Sequence, residues 1–225
     1  MQNNDSFPSG FLFDFDGVIV DSFDSHFRAW NQAHFELFSS YIETFPHEKL
    51  SGKSPHVIAQ HFCDEAGYPE KGNALFDLKG ACLHASTVPP KLLPGVVEIQ
   101  EFLAVKKAPH GIASNATRTF VKNSITQLNL GFTTFFGLEN YTNPKPDPEA
   151  YITLAKALHI PKEEFGTAWV FEDSITGTKS ALAAGMIPVG ILTMNSKEQM
   201  LAAGSKFTFP TLLEAYEYLS ESFSV

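Results

Sequence analysis

Cysteine is scarce in this sequence, and so is positive charge. Of 225 residues only two are cysteine, Cys63 and Cys82, and they form neither a CxxC pair nor the ladder of a disulfide-stapled domain. Two reduced, partly buried thiols in a cytoplasmic protein are the expectation. Sixteen Lys and Arg stand against twenty-five Asp and Glu, a formal net charge of -9, so the basic surplus of a nucleic-acid binder is missing. No apolar run reaches membrane-spanning length, and residues 1–10 lack a basic segment followed by an apolar one, so neither a membrane partner nor a signal peptide is expected. His56 and His61 lack zinc-ligand spacing, no HExxH occurs, and no glycine-rich phosphate loop of the Walker or dinucleotide type is found.

The chain holds 44% hydrophobic residues, enough apolar surface to order one generous domain, or a core domain carrying a smaller insert. Twenty-one Phe predict a core packed with aromatic rings. Short apolar runs at 11–15, 110–113, 134–136, 168–171, 187–191 and 207–209 read as buried strands. Helical patterns at 96–107, 117–128, 148–158, 174–184, 197–203 and 212–220 separate them. This alternation predicts an α/β fold with a Rossmann-like parallel sheet, and such sheets bind ligands at the carboxyl ends of their strands.

One stretch breaks the alternation. Residues 21–88 show only helical patterns: a stripe of Phe23, Phe27, Trp30, His34, Leu37 and Phe38, then 55–66 and 74–86. The expected organisation is a core of residues 1–20 and 89–225 with an all-helical insert, 21–88, as a candidate lid.

Four pieces carry chemistry. Asp14-Phe15-Asp16-Gly17 ends the first strand, and two carboxylates at a buried strand end repel unless a cation or a proton stabilises them. Glu172-Asp173-Ser174 ends another strand; alone it reads equally well as a helix cap, but with Asp14 and Asp16 it gathers four acids whose hard oxygens suit Mg²⁺. Ser114-Asn115 closes a third strand before a helix, as an ordinary cap or an anion site. In Asn143-Pro144-Lys145-Pro146-Asp147-Pro148 the prolines restrict Lys145, which suits a lysine aimed at a phosphate oxygen or an acid cluster. Asp147 and Pro148 read as N-cap and first helical residue.

In this order, each after a strand, the four motifs resemble the haloacid dehalogenase superfamily of phosphohydrolases and phosphomutases, over nearly the whole chain. Asp14-Phe-Asp-Gly-Val-Ile-Val-Asp-Ser22, His26-Phe-Arg-Ala-Trp30 and the loop Leu50-Ser-Gly-Lys-Ser54 resemble its beta-phosphoglucomutase-like branch, and the insert resembles its helical cap. The resemblance implies that Asp14 is the nucleophile, forming an aspartyl phosphate, and Asp16 the general acid and base. It further implies that Mg²⁺ is held by Asp14, the Asp16 carbonyl, Glu172 and Asp173, and that Ser114, Asn115 and Lys145 hold the phosphoryl oxygens. His26, Gly52, Lys53 and Ser54 are its candidate substrate-binding residues, with Lys79 and Arg118 as further cations of open role.

The expected activity is that of a monomeric Mg²⁺-dependent phosphatase for a small sugar or polyol phosphate, with a sugar phosphomutase as the alternative. In the mutase branch an arginine follows the Gly-x-Ser of the cap loop. Here Pro55, which donates no hydrogen bond, takes that place. Dehalogenation and phosphonate cleavage are disfavoured because Asp16 is present, and a non-catalytic binding module because every catalytic residue type is in place.

Overall fold

The computed structural model of the chain describes residues 6–50 and 53–223. Strand β1 (Phe11–Phe13) has every residue fully buried, as a central strand covered on both faces requires. It pairs in parallel with β4 (His110–Ala113) on one side and β6 (Trp169–Glu172) on the other. Beyond β4 lies β5 (Phe135–Phe136), and beyond β6 lie β7 (Ile187–Ile191) and β8 (Phe207–Phe209), giving the order β5-β4-β1-β6-β7-β8. The first strand ends two residues sooner than the apolar run predicts. After Asp14, whose amide donates to the Phe171 carbonyl at 2.9 Å, the chain turns out of the sheet.

Period-two alternation sorts the side chains of the central strands. On one face Phe13 stacks on Phe171 with ring centroids 4.8 Å apart, and Phe11 leans on Trp169 at 6.4 Å. On the other, Leu12 and Val170 join Tyr151, Leu154 and Ala155 in a buried cluster. The phenylalanine-rich composition thus fills the core, and each such aromatic pair adds about 0.5–1.5 kcal/mol beyond its buried area.

The helices between strands are α5 (Val96–Val105), α6 (Arg118–Gln127), α7 (Glu149–Ala157), α8 (Ile175–Ala183) and α9 (Lys197–Ala203), and α10 (Leu212–Ser222) follows β8. Their starts are set by side chains that accept free amides: Thr117 from Phe120, Ser174 from Gly177, Ser196 from Gln199 and Thr211 from Leu213. Thr117, expected inside its helix, is therefore the cap, and Ser174 fills the capping place that its motif also allowed. At α7 the expectation shifts by one residue. Pro148 is the N-cap and Glu149 the first helical residue, while Asp147 Oδ1 still accepts the Glu149 amide at 2.9 Å.

The chain divides into two compact units, Met1–Asp21 with Lys91–Val225, and Ser22–Pro90. At the junction β2 (Val20–Asp21) pairs antiparallel with β3 (Lys91–Leu92), a two-residue ladder too short to show in the sequence pattern. The inserted unit holds α1 (Phe23–Phe38), α2 (His47–Leu50), α3 (Pro55–Ala66) and α4 (Gly72–Ala85). The buried face of α1 is Ser25, Ala29, Trp30, Ala33 and His34, so the expected stripe is rotated and Phe23 is 39% exposed. Trp30 and His34 of that stripe are buried, while Phe27, Leu37 and Phe38 are only partly so, and α1 packs against α4. Cys63 and Cys82 are buried free thiols. Among the described residues no helix is long and apolar enough to cross a membrane.

Candidate active site

Register brings the acids together. Phe13 lies opposite both Ile112 and Phe171, so Asp14 and Glu172 come at the same level of adjacent strands. Alternation then puts both carboxylates on the Leu12 and Val170 side, the side that α7 covers. Ser114 follows β4 on the opposite flank of β1, and Asp173 follows Glu172 out of β6. β4, β1 and β6 are adjacent in the sheet, and the winding reverses direction between β1 and β6.

Lys145 enters this level from the loop before α7, with a cis peptide to Pro146. Its Nζ donates to Asp14 Oδ1, Glu172 Oε1 and Tyr151 Oη, each at 2.7 Å. An ammonium has three protons, so all are committed. Tyr151 in turn donates its hydroxyl proton to Glu172 Oε1. The other Glu172 oxygen accepts from the Ser174 hydroxyl at 2.9 Å and the Ser174 amide at 3.3 Å. Glu172 is completely buried and both its oxygens are engaged.

Asp173 is held by the loop after β7. Asn195 Nδ2 donates to its backbone carbonyl at 2.7 Å, and Thr193 Oγ1 lies 3.3 Å from its Oδ2 while donating to the Gly17 carbonyl at 2.5 Å. Gly17 has φ +80, and a Cβ there would stand 1.8 Å from Asp173 Oδ2, so this turn admits no side chain. Gly177 on α8 is a second close approach, since a Cβ there would meet Glu172 Oε1 at 1.8 Å.

The hydroxyl of Ser114 accepts the Ala116 amide at 2.9 Å and lies 3.3 Å from Asp16 Oδ2. The Asn115 carboxamide oxygen accepts the Lys145 amide at 3.3 Å and the Tyr141 hydroxyl at 3.2 Å, a hydroxyl that also donates to the Ser114 carbonyl. Asn115 thereby ties the motif after β4 to the lysine loop.

The electrostatics follow from burial. Loss of water pushes the Asp14 carboxyl up to about 7, with repulsion from Glu172 and Asp16 added, although Lys145 opposes the shift. The Asp173 carboxyl is raised well above its ordinary value, first by burial and then by Asp14, Glu172 and Asp16. Burial alone would lower the Lys145 ammonium, but the carboxylates of Asp14 and Glu172 outweigh it and hold it firmly protonated. Asp14, Glu172 and Asp173 each offer an oxygen within 4.8 Å of the others. Among the described residues the ion pairs of this cluster are those of Lys145 with Asp14 and Glu172. One ammonium for three buried carboxylates leaves negative charge over, and the all-oxygen donor set suits a hard divalent cation.

Asp14, Asp16, Ser114, Asn115, Lys145, Glu172 and Asp173 are therefore one connected group. The candidates in the insert lie in the other unit. There Lys79, buried, donates to His26 Nδ1 at 3.0 Å and sits 5.3 Å from the Trp30 ring. Lys53 and Ser54 are exposed, and Ser54 is the N-cap of α3, accepting the Val57 amide at 3.4 Å. Gly52 lies outside the described residues. Arg118 places its guanidinium 5.2 Å from the Phe135 ring. Tyr151, Tyr141, Thr193 and Asn195 escaped the sequence reading. Tyr151 has the spacing of a core residue on α7, and the other three stand outside any motif.

A family model described as haloacid dehalogenase-like hydrolase matches residues 11–191, and the chain belongs to that family. It is 25% identical over 195 residues to validoxylamine A 7'-phosphate phosphatase of Streptomyces hygroscopicus subsp. limoneus, covering 85% of this chain and 89% of that protein. It is 29% identical to hexitol phosphatase A of Escherichia coli (strain K12), covering 78% and 79%, and 26% identical to beta-phosphoglucomutase of Bacillus subtilis (strain 168), covering 80% and 81%. Its fold is that of CbbY from Rhodobacter sphaeroides, solved in complex with phosphate, with a TM-score of 0.76 at 19% identity over 92% of this chain and 96% of that one.

Proposed function

We propose that the protein is a Mg²⁺-dependent phosphatase of a small phosphorylated metabolite, a sugar or polyol phosphate, working through an aspartyl phosphate on Asp14. The observation that carries the reading is Asp14 Oδ1 held 2.7 Å from a buried lysine that Glu172 anchors at the same distance. A carboxylate fixed in this way has lost its rotational freedom before substrate arrives. The phosphatases among its relatives support the substrate class.

Asp14 attacks phosphorus in line, and the bond to the ester oxygen breaks as the aspartyl phosphate forms. Asp16 gives its proton to the departing oxygen. It then takes a proton from a water, which attacks the same phosphorus and returns Asp14 and free phosphate. The Ser114 hydroxyl and the Asn115 amide face the phosphoryl oxygens, while Lys145 keeps Asp14 aligned and balances its charge. Asp14, Asp173 and the Asp16 carbonyl, with Glu172 directly or through a water, would hold the Mg²⁺, whose chemistry when bound is to offset the repulsion between Asp14 and an anionic substrate. The enzyme is read as a monomer with no nucleic-acid or membrane partner.

The alternative is a sugar phosphomutase, favoured by the likeness to beta-phosphoglucomutase. Against it, Pro55 follows Ser54 as the first residue of α3 and offers no hydrogen bond to a second phosphate. The test supplies beta-glucose 1-phosphate, a trace of the 1,6-bisphosphate and a panel of sugar and polyol phosphates with Mg²⁺. Free phosphate should dominate, and isomerisation outrunning its release by about a hundredfold would promote the mutase.

A further inference from the structure

The Lys145 ammonium has three acceptors, and two are charged groups already placed in the site. The third, Tyr151, is a neutral hydroxyl on α7, on a side chain that is completely buried. It is bonded twice over, accepting from Lys145 Nζ and donating to Glu172 Oε1. With the direct bond from Lys145 to Glu172, the three groups close a ring. The Tyr151 ring also lies under the ammonium, 4.5 Å from Nζ to its centroid.

A salt bridge alone fixes a distance but leaves an ammonium free to spin about its Cε–Nζ bond. Here the two carboxylates set that rotation, and the Tyr151 hydroxyl takes the third N–H, so no proton of the buried ammonium is left without an acceptor. Without the phenolic oxygen one N–H would be buried without a partner, and the ammonium would tilt toward a carboxylate or admit a water. Glu172 Oε1 would also lose one of its two donors. We infer that Tyr151 is a positioning residue of the reaction: its hydroxyl orients Lys145 and Glu172 so that Asp14 is presented for in-line attack. This inference deepens the phosphatase reading and rests on it.

The test compares wild type with Tyr151→Phe in Mg²⁺, using p-nitrophenyl phosphate as substrate and orthovanadate and inorganic phosphate as inhibitors. The expected result is a kcat reduced by about tenfold or more with KM little changed. Vanadate, which takes the shape of the transferring phosphoryl group, should weaken by a similar factor, and inorganic phosphate should weaken much less. A residue that only packed the core would lower the melting temperature and leave kcat per folded molecule and the vanadate affinity where they were. That outcome overturns the inference while the phosphatase reading stands. A wild type inert toward every phosphate ester overturns the phosphatase reading and takes this consequence with it. Proton NMR of the wild type needs no variant: the Tyr151 hydroxyl and Lys145 ammonium should give slowly exchanging signals joined by a nuclear Overhauser contact. A hydroxyl exchanging at the rate of an exposed phenol sinks the inference even where Tyr151→Phe does not fold.

Discussion

Lys145 and Asp14, 131 residues apart in sequence, meet at 2.7 Å in the buried centre of the sheet end. The pair is shared with Glu172, so removing the lysine strands two carboxylates, that of Glu172 fully buried and that of Asp14 mostly so. Lys145→Ala should cost about 3–5 kcal/mol of metal-free stability, read from urea denaturation in EDTA. A variant as stable as wild type would mean that the ammonium is solvated in solution.

Asp14→Asn removes the nucleophile while keeping its shape. Turnover should fall by about 10⁴-fold or more, with the circular dichroism spectrum unchanged. Because water attacks phosphorus, hydrolysis in ¹⁸O-water over many turnovers should place label in the released phosphate and none in Asp14 of the intact enzyme. Label in Asp14 would show that water attacks its carboxyl carbon, and would overturn the step at phosphorus.

Asp14 and Asp173 titrate high in the metal-free fold, Asp14 at about 7 against an ordinary 3.8. Across that interval the folded state keeps a proton that the unfolded chain has released, so stability falls as pH rises from 3.8 toward 7. The loss is on the order of a few kcal/mol, and Mg²⁺ should reverse it while releasing protons. Melting curves at several pH values in EDTA and in Mg²⁺ check both signs; a metal-free melting temperature that climbs over this interval contradicts the assignment.

Gly177→Ala forces a methyl to within 1.8 Å of Glu172 Oε1, an atom already bonded to Lys145 and Tyr151. The carboxylate cannot yield without giving up those bonds. The variant should lose about 1–3 kcal/mol and most of its activity together. Stability and turnover both within experimental error of wild type would show that Glu172 has room to move.

The sequence by itself determined the alternation of strands and helices, the place of the helical insert, three polar motifs at the ends of apolar strands, and a proline-flanked lysine ahead of a helix. These are local matters: a buried parallel strand must be an unbroken apolar run, and a polar residue that ends one must find a partner. Tertiary structure decided what no local pattern encodes. The two-residue ladder of Val20–Asp21 with Lys91–Leu92 is too short to have a period. The buried face of α1 keeps Trp30 and His34 of the expected stripe but takes in Ser25, Ala29 and Ala33 where phenylalanines were expected, since packing and not the apolar pattern alone decides which side is covered. Tyr151 reads as one more apolar position of α7 until β1 and β6 are set in register. Only then does one hydroxyl stand between Lys145 and Glu172, because side chains from distant parts of the chain satisfy one another's hydrogen bonds only where the packed sheet brings them to one level.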